Sequence, residues 1–152
     1  MKKADDLKFM AEALKQAEEA GKAGEVPIGA VMVKDGRILA SDRNRREESN
    51  DATAHAEILL LRQAGALLGG WRLSGCTLYV TLEPCPMCAG AMVLARLDRL
   101  VFGAPDPKTG AVVSLYDIVR DERLNHSLKV SGGIMQEQCA ALLKDFFRQR
   151  RD

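Results

Sequence analysis

The 152 residues predict an α/β fold: a three-layer α/β/α sandwich around a five-stranded mixed sheet, formed by a single domain over residues 1–152. Two observations predict it. Helical periodicities alternate with short apolar runs along the whole length, the order expected when helices cover a sheet. One run, Cys76–Leu82, has little polar alternation, as a strand covered on both faces requires. No internal repeat, low-complexity tract or linker divides the chain.

From Asp5 to Gly21, the residues Leu7, Met10, Leu14 and Ala17 recur at spacings of three and four, giving an amphipathic helix that Gly21 and Gly24 end. Ile28–Val33 is an apolar strand, Lys34-Asp35-Gly36-Arg37 a hairpin turn, and Ile38–Ser41 the returning strand. The polar stretch Asp42–Thr53 reads as a loop, and a second helix covers Ala54–Leu68 before Gly69-Gly70. After the strand Cys76–Leu82, Pro84 and Pro86 suit the start of a third helix, Met87–Leu97. Arg99–Gly103 is a strand and Ala104–Gly110 a loop. A short helical piece over Ser114–Val119, a strand over Leu128–Val130 and a helix over Met135–Arg151 complete the chain.

Composition excludes several classes. With 47% hydrophobic and 28% charged residues the chain is an ordinary globular one, and no apolar run approaches the roughly 20 residues that span a bilayer. The start, Met1-Lys2-Lys3-Ala4-Asp5-Asp6, lacks the apolar core of a signal peptide. Four cysteines, two of them in a Cys-x-x-Cys, do not form a secreted disulfide framework, so a cytoplasmic location is expected. A net charge of +1 rules out a globally basic nucleic-acid coat. Two local basic runs remain, Arg43-Asn44-Arg45-Arg46 and Phe146–Arg151. Each suits phosphate contacts, or simply a solvated loop and a cationic helix end.

The chemistry concentrates in His55-Ala56-Glu57 and Pro84-Cys85-Pro86-Met87-Cys88. Together they offer one imidazole and two thiolates, a set of three zinc ligands that leaves a fourth position to water. Glu57 is then the acid/base for that water, whose pKa zinc lowers toward about 7. Cys85 and Cys88 are three apart, so at a helix N-terminus both sulfurs face one way and the helix dipole favours their thiolates. Spacing alone puts His55 and Glu57 on different sides of a regular helix. Placing His55 at the N-cap, where the backbone is not yet helical, removes that conflict. The spare ligands for a closed structural site are poor: Cys76 and Cys139 read as small core hydrophobes, and His126 stands alone. A redox role for the cysteine pair would leave His-x-Glu unexplained.

The string His55-Ala56-Glu57 followed by Glu83-Pro84-Cys85-Pro86-Met87-Cys88-Ala89 resembles the zinc-dependent cytidine/adenosine deaminase superfamily. Glu25–Val31, Thr53–Glu57 and Val101–Ala104 extend the resemblance over nearly the whole chain. Asp106–Ala111, Asn125-His126 and Phe146–Arg151 resemble more particularly the bacterial tRNA-specific adenosine deaminases, which convert the wobble adenosine of a tRNA anticodon to inosine. The resemblance implies a cytidine deaminase-like fold with one Zn²⁺ per subunit on His55, Cys85 and Cys88. It implies that zinc-bound hydroxide attacks C6 of the adenine while Glu57 shuttles protons, and that Asn44 contacts the flipped nucleotide. Ala56 and Pro84 would bind the substrate, Asp106 and Lys108 would handle the neighbouring nucleotide and backbone, and Asn125, Phe147 and Arg148 would meet the anticodon loop. The partners it implies are the anticodon stem-loop of a tRNA and a second copy of the chain, each site being completed across a homodimer interface. Met92, Val93 and Leu94 make the third helix apolar all round, as such an interface or a buried core helix would.

Read without the resemblance, Asn44 caps a turn, Asp106 starts one before Pro107, and Phe147 packs in the core. Two other functions share the motifs. One is a zinc-dependent deaminase of a free base or nucleotide, of the guanine or deoxycytidylate type; the other is a non-catalytic zinc-stabilised RNA-binding module. The basic C-terminal helix and the Asp106–Gly110 loop favour tRNA, since phosphate contacts supply affinity while a pocket reads the base.

Overall fold

A computed structural model describes residues 3–151. In chain order the elements are α1 (Lys3–Lys22), β1 (Gly29–Lys34), β2 (Arg37–Arg43), α2 (Arg46–Ser49), α3 (Ala56–Leu68), β3 (Cys76–Leu82), α4 (Pro86–Leu94), β4 (Arg99–Ala104), β5 (Lys129–Ser131) and α5 (Gln136–Arg151). The strands form one sheet in the order β2-β1-β3-β4-β5. β1 is antiparallel to β2 and β3, whereas β3, β4 and β5 run parallel, so the sheet is mixed. The β1–β2 turn places both Asp35 (φ 52°) and Gly36 (φ 75°) in the left-handed region, the hairpin geometry that Asp-Gly favours.

Period-two alternation sorts the strands' side chains between two cores. Val31, Val33, Tyr79 and Val101 pack under α1 and α5 with Phe9, Met10, Leu14 and Cys139. Ala30, Met32, Leu78, Val80, Leu100 and Phe102 pack under α3 and α4 with Leu60, Ala64, Cys88 and Met92. β3 therefore buries both faces, which is why it lacks polar alternation. α1 presses directly on the start of β1: a Cβ at Gly29 would collide with the backbone of Ala13 and Ala17. Among the described residues, no helix is long and apolar enough to cross a membrane.

Four segments differ from the sequence expectation. The loop after β2 contains the single turn α2, whose Glu47 and Glu48 amides donate to the buried Glu25 carboxylate at 3.0 and 2.8 Å. α3 starts at Ala56 rather than Ala54, because His55 is extended (φ −74°, ψ 149°) as its N-cap. α4 stops at Leu94 because Arg96 turns left-handed (φ 63°), sending Leu97 into the core. No helix forms over Ser114–Val119; the amides of Val112, Val113 and Ser114 point instead at the Glu83 carboxylate.

Candidate active site

The C-terminal ends of the parallel strands β3 and β4 lie side by side, Leu82 opposite Ala104. The start of β1 meets the same edge: the Gly29 amide donates to Thr81 Oγ1, and Gly29 pairs with Arg43 at the end of β2. Four chain segments consequently leave the sheet together, those before β1, after β2, after β3 and after β4. The carboxyl ends of parallel strands are where α/β sheets generally bind ligands.

Two helices begin at this edge. His55 is the N-cap of α3 and Cys85 (φ −76°, ψ 173°) is the N-cap of α4, with Pro86 in the first helical position. The extended cap turns His55 and Glu57 toward the same space, although their spacing would separate them on a regular helix. His55 Nδ1 lies 3.7 Å from Cys85 Sγ and 3.5 Å from Cys88 Sγ, and the three ligand atoms fall within 4.8 Å of one another. A tetrahedral zinc, with bonds of about 2.3 Å to sulfur and about 2.0–2.1 Å to nitrogen, would hold nitrogen and sulfur about 3.6 Å apart. The donors fit such an ion. As protein groups alone they share protons: the Cys88 thiol beside Cys85 and the His55 imidazole bring Cys85 down to about 4, against the opposing effect of burial. The bond to Cys85 and burial push Cys88 up, and the bond to Cys85 also raises His55.

Glu57 is 4% exposed, in the first turn of α3. Burial raises its carboxyl to about 7, and the groups around it are His55, Cys85 and Cys88 rather than a lysine or arginine. A carboxyl poised there can both take and return a proton near neutral pH. Ala56 and Pro84 are buried beside these residues in sequence.

Asn44 is 3% exposed; its amide nitrogen reaches the Val26 carbonyl at 3.5 Å, and its Oδ1 has no partner among the described residues. The backbone places it: Asn44 N donates to Ile28 O, and Arg45 N donates to Ala54 O, next to His55. An unmatched buried acceptor costs stability unless water or another donor reaches it. The neighbouring Arg43 and Arg45 are occupied, pairing with Glu48 and Asp42, and only Arg46 of that run has an exposed side chain outside this network. Phosphate contacts by the whole run are therefore not supported.

The remaining predicted residues spread outward. The Asp106 carboxylate folds its own loop, accepting from Lys108 N, Thr109 N and Thr109 Oγ1, while the Lys108 side chain is exposed. Asn125 is exposed in the loop before β5. Phe147 is 45% exposed on α5 rather than in the core, edge-on to Phe146. Arg148 is exposed, 3.6 Å from Asp145. The end of α5 is tied to the turn after α1, where Arg150 Nη2 donates to the Gly24 carbonyl.

Sequence reasoning gave no role to Glu83, which is 2% exposed where β3 ends. Burial alone would raise its pKa, but bonds from Ser114 Oγ and the amides of Val113, Asp106 and Ser114 bring it down to about 2. A glutamate directly before Pro84-Cys85 is visible in the sequence; its partners, 23 to 31 residues away, are not.

Helices on both faces of this sheet, with His/Glu and Cys/Cys at two helix starts, form a deaminase scaffold with a group that could hold a metal ion, and residues 4–151 match the MafB19-like deaminase family. A tRNA-specific adenosine deaminase from Bacillus subtilis (strain 168) is 51% identical over 147 residues, 97% of this chain and 91% of that protein. A solved structure from work on A-to-I editing by tRNA:A34 deaminases at the wobble position of transfer RNA superposes with a TM-score of 0.86 at 50% identity, covering 89% of this chain and 98% of that one. A guanine deaminase from Nitrosomonas europaea superposes at a TM-score of 0.80 with 25% identity, covering 91% and 82%. The chain belongs to the family of the tRNA-specific adenosine deaminases.

Proposed function

We propose that this protein hydrolytically deaminates adenosine to inosine at the wobble position of a tRNA anticodon, its whole length acting as one deaminase domain. The observation that carries this reading is geometric: His55, Cys85 and Cys88 bring their ligand atoms within 4.8 Å of one another, with the buried Glu57 carboxyl beside them. Those three residues would hold one zinc ion, which when bound acts as a Lewis acid toward water. Glu57 moves two protons in turn: it takes one from the water and gives it to N1 of the adenine, then takes a second from the new C6 hydroxyl and gives it to the departing amine, which leaves as ammonia. Asn44 Oδ1 offers the flipped base or its ribose an acceptor already stripped of solvent. Ala56 and Pro84 give the pocket apolar or backbone contacts, and Asp106 and Lys108 present the loop for the neighbouring nucleotide. Asn125, Phe147 and Arg148 reach the anticodon loop, with exposed aromatic and cationic groups suited to stacking and phosphate contact. The four cysteines are unpaired, as a cytoplasmic, reducing location would keep them.

The protein also acts as a homodimer in this reading. Trp71 and Leu94, 59% and 70% exposed, line an apolar groove between α3 and α4 together with Leu61, Ala91 and Ala95. Exposed apolar surface of this kind marks an interface. Leu94→Glu is expected to shift the sedimenting species from dimer to monomer.

The decisive assay incubates purified zinc-loaded protein with a tRNA bearing adenosine at the first anticodon position and, separately, with free adenosine, cytidine and guanine. Inosine in the tRNA is expected. Ammonia from free guanine or cytidine without inosine in the tRNA would favour a small-molecule deaminase. No product from any substrate would leave an RNA-binding module.

A further inference from the structure

Glu83 is one of the buried carboxylates that the chemistry above leaves unused. It joins two things: the end of β3, from which the Pro84–Cys88 metal segment continues, and the loop after β4. Its Oε1 accepts from Asp106 N at 2.9 Å and from Ser114 Oγ, and its Oε2 accepts from the amides of Val112, Val113 and Ser114 at 3.0, 2.8 and 3.0 Å. The donors come from both ends of the 106–114 loop, so one carboxylate closes it.

Two further features fit the loop around this group. Gly110 passes so close that a Cβ there would collide with the Glu83 carboxylate, and Ala111 N donates to Pro84 O at 2.8 Å. The loop tip then depends on what Glu83 fixes, because Asp106 in turn binds Lys108 N and both Thr109 donors. Neither a helix nor a strand bonds the Asp106, Val112, Val113 and Ser114 amides, so without Glu83 they lose their partner.

We propose that Glu83 is a positioning residue for the substrate: its carboxylate clamps the 106–114 loop onto the metal-bearing segment and so sets where Asp106 and Lys108 meet the nucleotide beside the target base. The substrate half of this statement rests on the tRNA reading above; the clamp itself does not. Since Glu83 grips loop backbone and not the side chains of His55, Glu57, Cys85 or Cys88, its loss acts on binding more than on the chemical step.

The test uses full-length zinc-loaded protein, with Glu83→Gln and the milder Ser114→Ala. Glutamine keeps the size but presents an N–H₂ to the donors that one carboxylate oxygen now accepts. Hydrogen exchange at Asp106, Val112, Val113 and Ser114 is expected to quicken about tenfold or more in Glu83→Gln, and by about threefold at 112–114 in Ser114→Ala. KM for an anticodon stem-loop is expected to rise about tenfold, with kcat within about threefold and zinc content unchanged. Unchanged exchange in both variants overturns the clamp. A fall in kcat or zinc content with KM unchanged overturns the positioning role. If wild type leaves the stem-loop unmodified, the tRNA reading fails while the exchange data still decide the clamp. Should Glu83→Gln not fold, the exchange and KM of Ser114→Ala decide alone, no change in either overturning the proposal.

Discussion

Beneath α1, Asp6 is 5% exposed, and beneath the start of α3, Glu57 is 4% exposed. The two carboxylates are equally hidden from water, yet they titrate in opposite directions. Asp6 receives Arg99 on both oxygens, at 2.8 and 2.7 Å, and the Tyr79 hydroxyl at 2.7 Å. Burial works to raise its pKa, but those bonds and the Arg99 charge outweigh it and hold Asp6 below its ordinary value. Among the described residues, the groups acting on Glu57 are its own amide, His55, Cys85 and Cys88, and burial outweighs the bonds that would lower it. A buried carboxylate held by a matched cation serves the fold, and one whose bonds leave burial uncompensated is poised for a reaction.

Breaking the cluster gives the largest expected effect. Cys88→Ala removes one of the three donors, so zinc content should fall below stoichiometric in a metal assay and inosine formation should disappear. Asp6→Asn, on the other face of the sheet, should leave both readings at the wild-type level.

Asn44→Ala sharpens the contrast. Its Oδ1 has no partner among the described residues, so removing it should cost little stability, within about 1 kcal/mol by thermal unfolding. If substrate supplies the missing donor, kcat/KM for tRNA should fall by about 10- to 100-fold.

Asp6→Asn should do the reverse, lowering unfolding free energy by about 2–4 kcal/mol near neutral pH because Arg99 loses its partner. The pH dependence has a definite sign. With its folded pKa below the unfolded value of 3.8, Asp6 stabilises fully above that value, and the stabilisation is lost as pH falls below it through the lower folded pKa. Denaturant melts at neutral pH and at about pH 3 should therefore show the gap between wild type and mutant narrowing in acid. Glu57 runs the other way: in zinc-free protein, its rise from 4.5 to about 7 costs stability progressively as pH increases across that window.

The sequence made the site more legible than its supports. His55, Glu57, Cys85 and Cys88 were readable because metal ligation needs particular residue types, and the two N-caps that gather them follow from local signals such as Pro86. β1, β3 and β4 were readable as apolar runs of strand length, whereas β5, Lys129–Ser131, has only Val130 as an apolar residue. Glu25 and Glu83 were not readable, since each braces a loop more than 20 residues away, and no local periodicity carries that information. The helix expected over Ser114–Val119 failed on this account: its neighbouring amides had a better acceptor in Glu83 than in each other. Arg43 and Arg45 likewise read as phosphate contacts because their partners, Asp42 and Glu48, share the same polar loop.

The most direct test is inosine formation in tRNA by zinc-loaded Glu57→Gln. The expected rate is about 10²–10⁴-fold below wild type, with zinc content intact and the unfolding midpoint unchanged or raised, since a buried carboxyl whose burial outweighs its bonds to its own amide and Cys88 has been neutralised. A near wild-type rate would contradict the assignment of Glu57. So would a loss of stability comparable to that of Asp6→Asn, which would make Glu57 a structural partner.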